Sequence, residues 1–314
     1  MSSQVLNVAE VQPLTPLVTR FRFTHPEGKA LPLFSGGAHV VVEMPDGDVL
    51  RRNAYSLISD PMDGSGYEIA VRREDGGRGG SRFMHRVQVG DQLRIGAPVN
   101  LFALDLRAKK HVMIAGGIGI TPFVAQLKQL AKMPMPFELH YAARSRAEAA
   151  GIALLPHSPH IHVHLSSEGN RLDVGALLAK QPLGTHVYTC GPKGLIDAVA
   201  ETGARFGWPK AALHSEEFLS PPEGAAFDVT LAKSRMTLTV GPHQSLLEAM
   251  EAAQVDAPWL CRGGACGQCE TDVVTCDGHI EHHDHWLSDA ERHEQRKIMP
   301  CVSRFKGSAL VLDR

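Results

Sequence analysis

The chain has 314 residues, 43% hydrophobic and 21% charged, with a formal net charge of −2 and six cysteines. No apolar run approaches the roughly 18 residues that span a bilayer, and no stretch interleaves lysine and arginine with aromatic residues, which argues against a membrane anchor and against nucleic acid as a partner. Six cysteines in so long a chain are too few and too clustered for a disulfide scaffold, and the leading MSSQVLNVAEVQ lacks the basic and apolar regions of a signal peptide, so a reducing, cytoplasmic setting is expected.

Residues 1–105 read as short strands, VTRFRFTH, HVVVEM, YEIAVRRE and DQLRIGAP, broken by Gly and Asp turns. That grammar predicts an antiparallel β-barrel. Over 106–219 it changes: the apolar run VMIA meets GGIGITP and then FVAQLKQLAKM, and strand, turn and helix recur at FELHYAARS and HVYTCGPKGLIDAVAETGARF. This predicts an α/β domain with a parallel sheet. SPPEGA, residues 220–225, has two prolines and no periodicity and reads as a linker.

The third domain is expected at 226–314, making the chain multidomain. FDVTLAKSRMTLTV alternates as a hairpin, with Phe227, Val229 and Leu231, then Met236, Leu238 and Val240, on one buried face. Ser245 and Glu248 form an S-x-x-E capping box that opens a helix with Leu246, Leu247 and Met250 inward, and Ser288 with Glu291 forms a second. From Ala225 onward the net charge is −4, against +2 for the remainder, which hints at an acidic docking face.

CRGGACGQC places Cys261, Cys266 and Cys269 at C-x4-C-x2-C spacing, and Cys301 follows 32 positions after Cys269. A triplet with a distant fourth cysteine is the plant-type 2Fe-2S cluster pattern. Structural zinc sites more often use two short C-x2-4-C pairs, so zinc is the weaker reading. Cys276, seven residues after Cys269, fits the pattern less well and reads as a packing residue in a strand. The histidines of HIEHHDHW, 279–286, read as a solvated loop rather than as a metal site.

Upstream stand AYSL (54–57), AVRREDGGRGGS (70–81), GGIGITP (116–122), CGP (190–192) and EEF (216–218). Together with the cysteine pattern, and in this order, they make essentially the whole chain resemble the ferredoxin–NADP reductase superfamily, in particular its phthalate dioxygenase reductase group. The resemblance implies an FMN-binding barrel, an NAD-binding α/β domain and an α+β ferredoxin domain of β-grasp form. It implies that Ala54 and Tyr55 lie along the isoalloxazine with Ser56 near N5, and that Ala70, Val71 and Arg72 run beside them. Arg78, Gly79, Gly80 and Ser81 are implied at the flavin phosphate. Where the group has an arginine two positions before the tyrosine, this chain has Asn53, and Arg52 is expected to serve in its place. Gly117, Gly119 and Thr121 are implied at the dinucleotide pyrophosphate, Cys190, Gly191 and Pro192 beside the nicotinamide, and Phe218 as an aromatic shield over the flavin. NADH is the expected donor, with NADPH left open by Arg144 and Arg146 after the second strand of the α/β domain.

Nicotinamide gives up a hydride while an iron–sulfur cluster takes one electron at a time, so a flavin between them is required. The expected path runs from NADH through flavin and cluster to an external acceptor, with Ser56 and Cys190 aligning the ring edges. The expected partner is a terminal oxygenase of Rieske type acting on a small aromatic or amine, served by a monomeric reductase. A reductase for a cytochrome P450 or a diiron monooxygenase, and a redox-sensing module without a dedicated oxygenase, are the alternatives.

Overall fold

A computed structural model describes residues 3–47, 49–219 and 223–314. Chain contacts divide the protein into two units, 1–217 and 218–314.

The first sheet of the first unit is antiparallel. It contains β1 (Ser3–Thr15), β2 (Val18–Thr24), β3 (Ala38–Asp46), β4 (Val49–Ser56) and β5 (Tyr67–Arg72); after the short helix α1 (Gly80–Met84) come β6 (Gln92–Gly96) and β7 (Val99–Asn100). Strand order is β4-β3-β6-β1-β2-β5, with β7 on β3. Period-two alternation sends Phe21, Phe23, Val40, Val42 and Met44 to one face, all fully buried, and this face is the core inside the curl. A closed barrel is expected from the strand pattern. The structure instead shows a curled sheet whose edge strands β4 and β5 meet through a single bridge, Leu57 with Ile69. α1 packs against β3, β4 and β5, and the His85 ring at its end lies 3.0 Å from the Val71 carbonyl, so a helix rather than a ladder covers this seam.

The second sheet is wholly parallel. In chain order it comprises β8 (Lys110–Gly116), helix α2 (Thr121–Leu130), β9 (Phe137–Ala143), β10 (Ile161–Leu165), α3 (Val174–Leu178), β11 (Thr185–Cys190), α4 (Lys193–Arg205) and β12 (Leu213–Glu216). Strand order is β10-β9-β8-β11-β12. The chain winds outward from β8 on one side and returns to start on the other, so the topological switch point lies between β8 and β11. α2 joins the two sheets: Gln129 accepts from Gly36 N at 2.7 Å, Lys128 Nζ donates to the Ile58 carbonyl at 2.7 Å, and Gln126 donates to the Phe102 carbonyl at 2.7 Å.

The second unit is a small mixed sheet with a helix on one face. Its elements are β13 (Phe227–Leu231), β14 (Met236–Val240), α5 (Leu246–Ala252), β15 (Thr271–Glu281), α6 (Asp289–Glu294), β16 (Lys297–Ile298) and β17 (Arg304–Leu312), in the order β14-β13-β17-β15-β16. β13 runs parallel to β17 and antiparallel to β14, which gives a β-grasp-like sheet. Both capping boxes form, at Ser245 with Glu248 and at Ser288 with Glu291. The hairpin buries Phe227, Val229 and Leu231, but on the edge strand β14 only Val240 is buried and Met236 is exposed, since nothing covers that end of an edge. Of the linker expected at 220–225, residues 220–222 lie outside the described residues. No helix of the described residues is long and apolar enough to cross a membrane.

Candidate redox-cofactor site

The seam between β4 and β5 assembles the first group of predicted residues. The bridge from Leu57 to Ile69 sets an antiparallel register that would place Ser56 opposite Ala70, Tyr55 opposite Val71 and Ala54 opposite Arg72. No ladder forms at these positions among the described residues, so two strand edges face a slot, with the Val71 carbonyl taken up by the His85 ring. The predicted flavin contacts 54–56 and 70–72 are thereby the two lips of one slot.

Side chains on β4 alternate. Arg51, Asn53 and Tyr55 share the face of the Arg78–Ser81 turn: a Cβ at Gly79 would lie 3.1 Å from Arg51 Nε and one at Gly80 2.4 Å from Asn53 Nδ2, and at φ +102° the Gly79 backbone favours glycine. Asn53 Nδ2 donates to the Tyr55 hydroxyl at 3.3 Å, and burial pushes the Tyr55 phenol up to about 12. Arg52, expected in the place of the missing arginine, lies on the other face of the strand, opposite Glu43 and bonded to it at 3.1 Å. Its register sets it on the opposite face from Arg51 and Asn53. Arg51 is the guanidinium that sits at the turn, held by Asp46 at 3.3 Å, and strand alternation was the signal that could have singled it out. The Ser81 hydroxyl accepts from Glu74 N at 3.0 Å and closes the 74–81 loop. Ser56 is buried beside its cross-strand neighbour His39, whose Nε2 is buried with no hydrogen-bond partner among the described residues. An orphaned buried ring nitrogen next to the slot fits a polar ligand edge lying there.

The second group lies at the carboxyl ends of β8 and β11, on the switch point. Cys190 pairs in register with Ala115, and the two turns that follow touch backbone to backbone. A Cβ at Gly119 would lie 2.4 Å from the Cys190 carbonyl oxygen, and one at Gly191 would lie 2.9 Å from Gly116 N. The glycines and CGP thus form one cradle. Thr121 is not presented to it, because its N–H and its hydroxyl are both directed at the Ile118 carbonyl, the latter at 3.1 Å. Cys190 is fully buried, and burial followed by the Glu216 and Glu217 carboxylates pushes its thiol well above the usual range, so it stays protonated.

Slot and cradle share a core. Ile58 and Ala70 from the first sheet belong to the same apolar cluster as Ala115, Ile120, Phe123 and Cys190 from the second. Phe218, two residues beyond β12, is 47% exposed. Arg144 and Arg146 follow β9 on the surface, and Arg146 lies 3.7 Å from Glu168.

In the second unit the four predicted cysteines come together. Cys269 and Cys301 have sulfurs 3.2 Å apart and both are buried. The Cys266 thiol bonded to Cys261, together with the N–H groups of Gly263, Ala265 and Cys266, pulls Cys261 down to about 5 against the effect of burial. Four cysteine sulfurs gathered in one place with backbone N–H groups aimed at sulfur fit the donor set of an iron–sulfur cluster, and the loop reaches this arrangement through positive φ at Arg262, Gly264 and Gly267. Cys276 stands apart in β15, as expected. The solvated loop expected at 279–286 is corrected at two positions: the His282 side chain is 6% exposed and that of Asp284 is fully buried. The Asp284 carboxylate accepts from Trp286 N at 3.1 Å and Leu287 N at 2.8 Å, and its Cα packs on Gly264, so this segment braces the cysteine loop.

Known proteins align with the whole chain. Residues 6–104 match the oxidoreductase FAD-binding domain family, 98–213 the N-terminal domain of dimethylamine monooxygenase subunit DmmA-like proteins, and 229–306 the 2Fe-2S iron-sulfur cluster binding domain family. The carnitine monooxygenase reductase subunit of Escherichia coli K12 is 45% identical over 98% of this chain and 97% of its own. The heme-dependent oxidative N-demethylase beta subunit of Ectopseudomonas mendocina is 46% identical over 98% of each chain. Among solved structures, phthalate dioxygenase reductase superposes with a TM-score of 0.88 at 33% identity, covering 100% of this chain and 98% of its own.

Proposed function

Because the chain belongs to the phthalate-dioxygenase-reductase-like branch of the ferredoxin–NADP reductase superfamily, and is an NAD(H)-dependent flavin and 2Fe-2S reductase of a multicomponent oxygenase system, we propose how its own residues carry that activity. The observation that carries the reading is the shared core. Ala70 on one lip of the slot and Cys190 in the dinucleotide cradle pack into a single cluster, so donor and acceptor rings held there are neighbours by construction. Close, fixed placement is the main thing hydride transfer asks of a protein.

Bound flavin supplies the exchange between a two-electron hydride donor and a one-electron iron–sulfur acceptor. Ala54, Tyr55 and Ser56 on one lip and Ala70, Val71 and Arg72 on the other hold the ring, with backbone edges as its hydrogen-bonding partners. Arg51, Arg78 and the backbone of Gly79, Gly80 and Ser81 hold the phosphate, and a mononucleotide, FMN, suits a turn that closes directly over the strand. Gly117, Gly119 and Gly191 admit the dinucleotide, and Pro192 and the neutral Cys190 thiol wall its ring. NADH is favoured, since the Arg144 and Arg146 pair is only partly available with Arg146 beside Glu168. Cys261, Cys266, Cys269 and Cys301 would hold the cluster, which would supply the one-electron acceptor.

The acceptor is a terminal oxygenase of Rieske type, and relatives at 45% and 46%, one named for carnitine and one for N-demethylation, favour a small amine over an aromatic acid. A haem-dependent N-demethylase is the second reading, favoured by the 46% relative. Anaerobic NADH titration of the pure protein tests the assignment. Flavin and cluster bands both bleach in the native protein, whereas in Cys301→Ser the flavin alone bleaches and passage of electrons to an oxygenase stops. Loss of flavin bleaching in Cys301→Ser, or an intact cluster in it, sinks the scheme.

A further inference from the structure

Strands β9 and β10 carry a cluster that the electron path does not use. Glu138 and His140 lie two apart on β9, His162 and His164 two apart on β10, and His162 pairs in register with His140, so all four share one face of the parallel sheet. One ligand atom from each of Glu138, His140 and His162 lies within 4.8 Å of the others. The His140 and His162 rings stack with centroids 4.8 Å apart.

Hydrogen bonds around the cluster fix where the protons are. Asn170 Nδ2 donates to the Val163 carbonyl at 3.0 Å, which orients the amide and leaves its Oδ1 to accept from His164 Nδ1 at 3.3 Å. With its proton on Nδ1, the His164 ring presents Nε2 as an acceptor, and at 3.0 Å from it stands His140 Nδ1, which must therefore be the donor. The consequence falls on the other nitrogen of His140. Nε2 is left as a bare lone pair, buried, with no hydrogen-bond partner among the described residues, and Glu138 Oε1 lies 3.9 Å from it. A buried ring nitrogen left with a lone pair and no donor lacks a partner that a metal ion would supply. The same oxygen, Glu138 Oε1, accepts from the Gln181 amide at 2.5 Å and lies 3.4 Å from Lys110 Nζ, so the carboxylate's second oxygen, Oε2, is the one left to take a metal beside His140 Nε2.

We propose that Glu138, His140 and His162 form a site for a divalent transition metal of the zinc class, with His164 as the partner that orients His140. Two imidazoles and one carboxylate are a zinc donor set, and a fourth position stays open to water. A metal ligand whose second ring nitrogen donates to a fixed acceptor is how proteins orient such histidines, and here the relay continues to Asn170. The site lies at the start and middle of its strands, away from the dinucleotide cradle at their carboxyl ends, so a bound ion would pin the edge strand β10 to β9 without entering the electron path.

The test is calorimetric titration of the flavin- and cluster-loaded protein with Zn2+, with cluster absorbance followed in parallel. One equivalent is expected to bind while the cluster bands stay unchanged. His162→Ala, at an exposed position, is expected to abolish that equivalent, and His164→Ala, which removes no ligand, to weaken it about 10- to 100-fold. His157→Ala, elsewhere on the surface, is expected to leave it unchanged. Binding that survives His162→Ala, binding equally weakened by His157→Ala, uptake that tracks loss of the cluster bands, or no uptake at all overturns the proposal.

Discussion

Arg51 and Arg52 differ by one position and by one face of a strand, and the difference decides which of them can hold an anion. The Arg51 guanidinium lies against Gly79 at the turn, 3.3 Å from Asp46, whereas Arg52 is opposite Glu43 on the far side. A charge-assisted hydrogen bond to phosphate contributes about 1.5–3 kcal/mol, so removing it costs roughly one to two orders of magnitude in affinity. Arg51→Ala is expected to weaken FMN binding about 10- to 100-fold, and Arg52→Ala no more than a few-fold. Fluorescence titration of flavin-stripped protein measures both, and an Arg52→Ala loss equal to that of Arg51→Ala would overturn the assignment. The motif alone could not separate the two neighbours, because a fixed spacing says nothing about side. The gathering of the four cysteines was legible for the opposite reason: three of them lie in one short loop, and sulfur chemistry restricts what their spacing can mean.

Helix α5 shows how a local signal reaches a distant layer. Ser245 accepts from Glu248 N at 3.1 Å while Glu248 accepts from Ser245 N at 2.8 Å, and the helix so fixed sends Leu246 and Met250 into the sheet core and Leu247 into the layer with Cys269, Cys301 and Met299. Ser245→Ala is expected to destabilise the second unit by about 1 kcal/mol and to lower the urea midpoint followed by cluster absorbance. Ser288→Ala caps a helix with no buried residue and is expected to move that midpoint less. An equal or larger effect of Ser288→Ala would show that the cap at Ser245 does not brace the cluster layer. Both boxes were readable because S-x-x-E is a purely local pattern. β1 was not, since only Leu6 and Val8 of its thirteen residues are buried and the alternation dies at once. In β15 only Thr271 and Ile280 are buried, and α3, five residues long, is too short for any period to show. His282 and Asp284 looked like solvated loop because burial there comes from a carboxylate collecting N–H groups, which leaves no mark in composition.

At the scale of the molecule, the order of the segments was legible while the union of the first two was not. Their apolar runs satisfy separate grammars, and only the folded core shows Val18, Ile58 and Ala70 of the curled sheet packed with Met113, Phe123 and Tyr141 of the parallel one. That union sets how the first unit responds to acid. Burial lowers His39, His111 and His140 from 6.5 to about 4, and both ring nitrogens of His111 lack hydrogen-bond partners among the described residues. Because the folded values lie below the unfolded ones, the unfolded chain binds protons that the native chain refuses between pH 6.5 and 4. Stability from these neutral rings is complete above 6.5 and is lost as pH falls toward 4, on the order of 1 kcal/mol per pH unit for each histidine. His39 sits in the curled sheet, His111 and His140 in the parallel one, so protonating either sheet strains the core they share. The urea midpoint for flavin release should therefore fall steadily from about pH 6.5 to about pH 5, and His39→Gln, which cannot charge, should flatten that fall. A midpoint that holds constant across this window in the native protein would mean that these rings are solvated or already charged in the fold.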